Sequence, residues 1–479
     1  MKDFITELLN LKDVQNLDVR MISSAPDKIV LQMEYFTPLK ICPHCQWKMH
    51  SKGIYQRTVT HPSISNDQVL ILKLNQRKWK CQNPECGHFE TDTFPFIGKN
   101  RRVTDTIDIE IVKAFKDYNL SAVQIAERFK VSDTYALSVF DRYVNLPRLK
   151  LTSALCIDEV HLNTDKYKYD LILQDFSSGE PIDMVISRRK EITEPYFASI
   201  PKEERFRVKY VISDMYAPYQ NYVETYFPKA LPVVDSFHVI KLINHKLNLY
   251  LNKLRKKYRD RDIHLLEEKQ KHIFKKLVLH ESKELYLLRT KKWLILSNPD
   301  KINYNAPPYR DWRFHNTWMY VSDYEQALFA LDPDLEKLRN LKNMYVTFNN
   351  TYAGNPEGAR TAIDEIIQTY LDCGYLMFEE IAAALTQYKD AIINSFIMLK
   401  RMDRKGNTFE SRLSNGPMES LNRIPKDMKR HGRGYESFDH IRNRFLYATR
   451  KNAPILASPK TPAEVKNVTG KKRGSYKKK

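Results

Sequence analysis

Between residues 151 and 405 the chain changes its hydrophobic period once, from strand to helix, and this limits the fold more than any other feature. The runs LTSALCIDEVHL, KYKYDLILQDF and PIDMVISRR read as three strands in a row, the last two joined by the turn SSGE. A helix-like stretch follows, then the strand RVKYVISD, a helix through 216–226 and the strand KALPVVD. The first strand carries apolar residues on both faces and so needs cover on both. The pattern predicts a mixed sheet with helices packed on it. From 236 to 405 the period is helical and no strand signal of any weight interrupts it.

Two acids lie where apolar strands should exclude them. Asp158 sits inside CIDEVHL and Asp214 ends YVISD. Burying a carboxylate is costly unless it is paired or holds a metal. A third acid, Glu419, heads a predicted helix in SNGPMESLNRIPKDMKR, residues 414–430. Asn422, Lys426 and Arg430 follow it at +3, +7 and +11, which lines them along one stripe. Two like charges about 4 Å apart repel by about 4 kcal/mol at an effective dielectric of ~20, so three gathered carboxylates need cations. Mg²⁺ or Mn²⁺ are the natural partners of oxygen ligands, and two such ions suit in-line displacement at phosphorus. The plainer alternatives are that Asp214 only caps the next helix and that the stripe is a solvated face. Pro425 is expected to kink the helix at a cost of ~3 kcal/mol, leaving Glu419 and Asn422 before the break and the alignment of Lys426 and Arg430 open.

Ahead of the sheet, four of the six cysteines form two close pairs, Cys42/Cys45 in CPHC and Cys81/Cys86 in CQNPEC. Strand-like runs join them. Paired thiols in a reducing compartment point to one structural Zn²⁺ rather than to disulfides. His44, His50 and His88 are possible substitutes, but four cysteines already fill a tetrahedral site. A short helix and the strand KIVLQMEYF are expected within residues 1–40. Further on, LSAVQIAERFKVSDTYALSVFDRYV has the rhythm of a helix-turn-helix, with Ala122, Ile125, Ala126 and Phe129 on one face and a turn at Val131 and Ser132. The net charge of +20 and pI of about 9.4 imply a polyanionic partner, here DNA. No apolar run reaches the ~18 residues a membrane span needs. The start, MKDFITELLN, lacks the pattern of a signal peptide, so a cytoplasmic protein is expected.

Taken in order, the cysteine pairs, the helix-turn-helix, CIDEVHL, VISDMYAPY, VVDSFHV and SNGPMESLNR…GRGYESFDHIRNRFLY resemble the DDE transposases of bacterial insertion sequences, in the family typed by the element ISL-three. The resemblance implies a multidomain α+β chain with a ribonuclease-H-like α/β core interrupted by an all-α insertion. The corresponding boundaries are a zinc module over 1–98, the helix-turn-helix over 99–147, the first part of the core over 148–235, and the insertion over 236–405. The Glu-bearing part of the core covers 406–455 and a basic disordered tail 456–479. Asp158, Asp214 and Glu419 become the catalytic acids. Asp235 and His238 match a D-x-x-H signature of insertion-bearing relatives, although Asp235 also reads as a helix cap. Such enzymes can stack a flipped base on an aromatic ring. Trp312, between Arg310 and Arg313, is the candidate, whereas Trp293 runs into the apolar LIL and is expected in a core. The implied partners are transposon ends and target DNA, held by a homodimer or larger assembly at the bacterial nucleoid. A non-catalytic DNA-binding regulator and a structure-specific nuclease of similar fold are the alternatives.

Overall fold

The computed structural model describes residues 9, 16–37, 39–62, 68–98, 100–264, 282–403, 405–432, 435–461 and 464–465. The helix expected near the start and most of the basic tail lie outside them. The first unit is a sheet of β1 (Leu17–Ala25), β2 (Lys28–Tyr35), β3 (Lys40–Ile41), β4 (Lys48–His61), β5 (Val69–Cys81) and β6 (Phe89–Thr91). Its order is β1-β2-β5-β4-β3, with β6 also on β5. Strand β1 had no sequence signal: beyond Leu17 it exposes nearly every side chain, so it lacks the alternation that marks a half-buried strand.

Three helices follow: α1 (Asp105–Ala114), α2 (Ala122–Phe129) and α3 (Asp133–Tyr143). Ser121 and Gln124 form a capping box at the head of α2, Lys130 ends it at φ 53°, and Ser132 caps α3. Their apolar faces do not close on themselves. Ile111, Phe115 and Phe140 share one core with Phe438 and Phe445 of the last helix.

The central sheet contains β7 (Ala154–Thr164), β8 (Tyr167–Asp175), β9 (Pro181–Val185), β10 (Tyr210–Ser213) and β11 (Leu231–Val234), in the order β11-β10-β7-β8-β9. β7, β10 and β11 are mutually parallel, while β8 and β9 continue antiparallel. One face of β7, with Cys156 and Val160, packs on α13 (Gly416–His431) and α14 (Phe438–Thr449). The other face, with Leu155 and Ile157, packs on α4 (Lys190–Ser199) and α5 (Ala217–Tyr226). The predicted mixed sheet covered by helices is therefore observed.

The long segment after β11 begins with α6 (Ser236–His264) and continues through α7 (Lys283–Thr290), α8 (Val321–Phe329), α9 (Asp334–Thr351), α10 (Pro356–Asp372), α11 (Leu376–Gln387) and α12 (Lys389–Asn394). It is not wholly helical, as the sequence had suggested. A small hairpin of β12 (Tyr309–Asp311) and β13 (Thr317–Met319) interrupts it, and β14 (Met398–Met402) pairs with β15 (Thr408–Arg412) across the expected boundary at 405. Both hairpins are too short and exposed to leave a periodic trace, and Pro307 and Pro308 break the helical pattern just before the first. Helix α13 corrects a second expectation, because it runs unbroken through Pro425. Pro425 is buried, and Leu421, Ile424 and Met428 around it belong to the same core. That burial offsets the hydrogen bond its ring removes. No helix among the described residues is long and apolar enough to cross a membrane.

Candidate active site and metal centre

The two cysteine pairs meet at one end of the first sheet. Cys42 Sγ lies 3.7 Å from Cys86 Sγ, and Cys45 Sγ lies 3.4 Å from Cys81 Sγ. All four sulfurs fall within 4.8 Å of one another. Zinc–sulfur bonds of ~2.3 Å give tetrahedral sulfur–sulfur edges of ~3.8 Å, so the cluster has the size of a zinc site. Each pair sits on a tight knuckle closed by a left-handed residue, Gln46 at φ 63° and Gly87 at φ 59°. His44 and His88 stack on each other, with ring centroids 4.1 Å apart, and the histidine substitutes are not needed.

The second site is an edge of the central sheet. Ile212 of β10 pairs with Cys156 of β7, and Ser213 pairs with Val234 of β11. Extending both registers puts Asp214 level with Asp158 on one side and with Asp235 on the other, on strands ~4.8 Å apart. Asp158 points to the face covered by α13. There Asn422 Nδ2 donates to its Oδ2 at 2.8 Å, while the Glu159 backbone N–H holds its Oδ1 at 2.8 Å. Glu419 is exposed one turn earlier on the same helix. Burial pushes the Asp158 carboxyl up to about 7; Glu159 and Asp214 add to this, and the Glu159 N–H and Asn422 oppose it. Asp214 is raised as well, first by burial and then by Glu159, against the pull of His238, the Tyr216 N–H and Arg188.

Asp158 and Asp214 are neighbours across the sheet and Glu419 lies on the helix that covers Asp158, but the three do not form a single-ion cluster. Among the described residues, only the four cysteines bring three ligand atoms within 4.8 Å. A pair of ions ~3.5–4 Å apart, each bound at ~2 Å, does not require closer carboxylates. The donor set fits hard cations: half-buried carboxylates held away from their usual range, beside an Asn422 Oδ1 that is buried without a hydrogen-bond partner.

The remaining candidates divide. Asp235 is buried and structural: its Oδ1 accepts from Phe237 N at 3.0 Å and its Oδ2 from Asn415 N at 2.8 Å. It therefore ties the start of α6 to the residue that heads α13. Asp214 also supports a turn, accepting from Tyr216 N at 3.2 Å. His238 lines a cavity of about 520 Å³ with Asp214, Lys241, Asn244 and His245. Sequence reasoning missed Lys241 and His245, although their positions three and seven residues after His238 place them on one helix face. Lys426 and Arg430 are exposed on α13, and Arg430 pairs with Asp427 at 2.9 Å. Trp312 stands at the β12–β13 hairpin, 62% exposed, with the Arg313 guanidinium 4.1 Å from its ring centroid. Trp293, expected in a core, is 40% exposed.

These features define a zinc-ribbon protein with a mixed α/β core. Residues 155–445 match the family model of the ISL3-type transposases, more than half of the chain, and the chain belongs to that family. Residues 38–86 match the zinc finger of the transposases IS204, IS1001, IS1096 and IS1165. Among curated proteins, the transposase for insertion sequence element IS1001 of Bordetella parapertussis is 23% identical over 176 residues, covering 36% of this chain and 42% of that protein. The chain thus spans less than half the length of that relative.

Proposed function

We propose that the chain is an active DNA transposase that binds the terminal inverted repeats of an insertion sequence, then cleaves and joins DNA at the acid edge. The observation that carries this reading is the register that sets Asp214 beside Asp158, with Asn422 of the Glu419 helix bonded to Asp158. The strand order, with three parallel strands followed by two antiparallel ones, supports a ribonuclease-H-like core. The capped α2–turn–α3 unit supports helix-turn-helix recognition of the ends beside the zinc ribbon. Asp158, Asp214 and Glu419 are the residues that would hold two Mg²⁺ or Mn²⁺ ions. Bound there, the ions would supply Lewis-acid polarisation of the phosphodiester and a lowered pKa for the attacking water or 3′-hydroxyl.

The chain's own residues do the rest. Asn422 and the Glu159 N–H fix the Asp158 carboxylate, and Asp235 bonds the backbone of Asn415 at the head of α13, the helix that carries Glu419. His238, Lys241 and His245 line the approach to Asp214 and offer donors to the phosphates of the strand. A non-catalytic regulator would not need this edge, and a simple nuclease would not need two modules ahead of the core. The assembly acts as a dimer or larger unit on DNA in the bacterial cytoplasm.

The test is strand cleavage on DNA segments taken from the two flanks of the gene, where this reading places the inverted repeats. Asp158→Asn, Asp214→Asn and Glu419→Gln each abolish cleavage and leave end binding intact. Retained cleavage in any one of them removes that residue from the site.

A further inference from the structure

Behind the acid edge, on the opposite face of the sheet, lies a cavity of about 590 Å³ that the cleavage reading does not use. Strand β7 runs past Asp158 to Thr164 before turning into β8, so this hairpin projects beyond the edge by ~20 Å. The sequence Lys166-Tyr167-Lys168-Tyr169 at the turn supplies one wall. Arg188, Arg189 and Lys190 supply another, and among the described residues no acidic side chain lines the space.

Two helices aim their N-termini at it, since Arg189 and Lys190 open α4 while Tyr216 and Pro218 open α5. Helix N-termini favour anions. Arg188 is locked in place, paired with Glu159 at 2.5 Å and with its guanidinium 4.3 and 5.2 Å from the Tyr169 and Tyr216 ring centroids. Arg189, Lys190, Lys166 and Lys168 are exposed and make no ion pair among the described residues. The cavity wall is tied to the acids through the chain. Tyr216 donates its N–H to Asp214, and Glu159 follows Asp158 in the chain.

Cations alone would suit duplex phosphates at an open surface. Cations interleaved with aromatic rings in a cavity of nucleotide size suit a base and its phosphates together. We propose that this cavity holds one unpaired nucleotide of the DNA strand that passes the acid edge, its base stacked on Tyr167 and its phosphates on Arg189, Lys190 and the two helix N-termini. This rests on the reading of the edge as a DNA-cleaving site. Duplex and tail contacts elsewhere on a +20 chain bind DNA without discriminating paired from unpaired strands. The cavity would add that discrimination.

The experiment titrates the full chain with oligothymidylate carrying one central 2-aminopurine, and with a blunt duplex of equal length. Stacking quenches the 2-aminopurine in the wild type and in Tyr167→Phe, which keeps the ring. Tyr167→Ala abolishes the quench and weakens oligothymidylate binding on the order of 10-fold, with the duplex within about twofold. Arg189→Ala with Lys190→Ala weakens the oligothymidylate further and flattens its salt dependence. Unchanged quench in Tyr167→Ala, or equal losses on both probes, overturns the proposal. Asp158→Asn separates the two levels: it keeps the quench while losing cleavage. If it still cleaves, the reading of the edge fails; if only the Tyr167 result fails, the nucleotide pocket fails alone.

Discussion

Asp158→Asn should make the protein more stable at neutral pH and above while abolishing cleavage. Burial holds the Asp158 carboxyl at about 7 instead of 3.8. The folded chain therefore keeps this proton in a range where the unfolded chain has released it. Stability falls as pH rises from about 4 to about 7, and above that the ionised acid opposes folding by at most ~4 kcal/mol. Because Asp158 is only partly buried, ~2–4 kcal/mol is the expected range. Asparagine removes the charge and keeps the fit. Its Oδ1 still accepts from the Glu159 N–H, and Asn422 can turn its amide to present the Oδ1 that now has no partner. Thermal melting of both proteins without added Mg²⁺, at about pH 5 and about pH 8, provides the check. The advantage of the variant should be small in acid and grow toward alkaline pH. Asp170, also pushed up to about 7 by burial, titrates in both proteins and cancels in the difference. Added Mg²⁺ should stabilise the wild type at pH 8 by RT ln(1 + [Mg²⁺]/Kd) and leave the variant nearly unmoved. Melting differences that stay flat across this pH range would refute the claim that Asp158 is a strained, cation-seeking acid.

Three further outcomes are expected. Cys45→Ser or Cys81→Ser should lose the single zinc per chain, measured by elemental analysis, and melt the ribbon without moving the transition of the central core. Asp235→Ala leaves two backbone donors unpaired and should cost ~2–5 kcal/mol in a melt, whereas His238→Ala, at the cavity wall, should lower cleavage with less than ~0.5 kcal/mol of stability change; a joint fall of melting temperature and activity in His238→Ala would make that residue structural. Trp312→Ala should leave stability unchanged, lower the cleavage rate on intact ends and recover part of it on one substrate with an abasic site near the cut; equal rates for both proteins on every substrate would exclude a stacking role.

The parts legible in the sequence are those where one physical rule acts alone. Four cysteines in two close pairs specify a metal knuckle whatever lies between them, and the acids inside apolar strands stand out because burying a carboxylate is penalised. The parts that were not legible depend on tertiary cover. Strand β1 is exposed and has no pattern, the two short hairpins are held by single pairings, and Pro425 stays helical because a shared core packs around it. The three acids appear as separate residues in the sequence, but only the registers of β10 with β7 and β11 reveal that Asp235 stands in line with Asp158 and Asp214. Lys241 and His245 were hidden by the opposite effect, since polar residues on a long helix usually mark a solvated face.

The helical segment between β11 and Glu419 is more than an appendage to the core. Its first helix and its last strand both end on the short stretch that precedes α13. Asp235 bonds Asn415 N, and Leu413 N donates to Ile397 O at 3.0 Å. Arg412 reaches Asn349 O at 2.7 Å, Ser395 Oγ at 2.8 Å and Ser236 Oγ at 3.1 Å, with its guanidinium 4.1 Å from the Phe396 ring centroid. One arginine thus gathers the head of α6, the end of α9 and the exit from α12 immediately before the helix that carries Glu419. The same α6 presents His238, Lys241 and His245 to the space beside Asp214. Glu419 lies exposed on α13, the helix whose head these bonds hold in place.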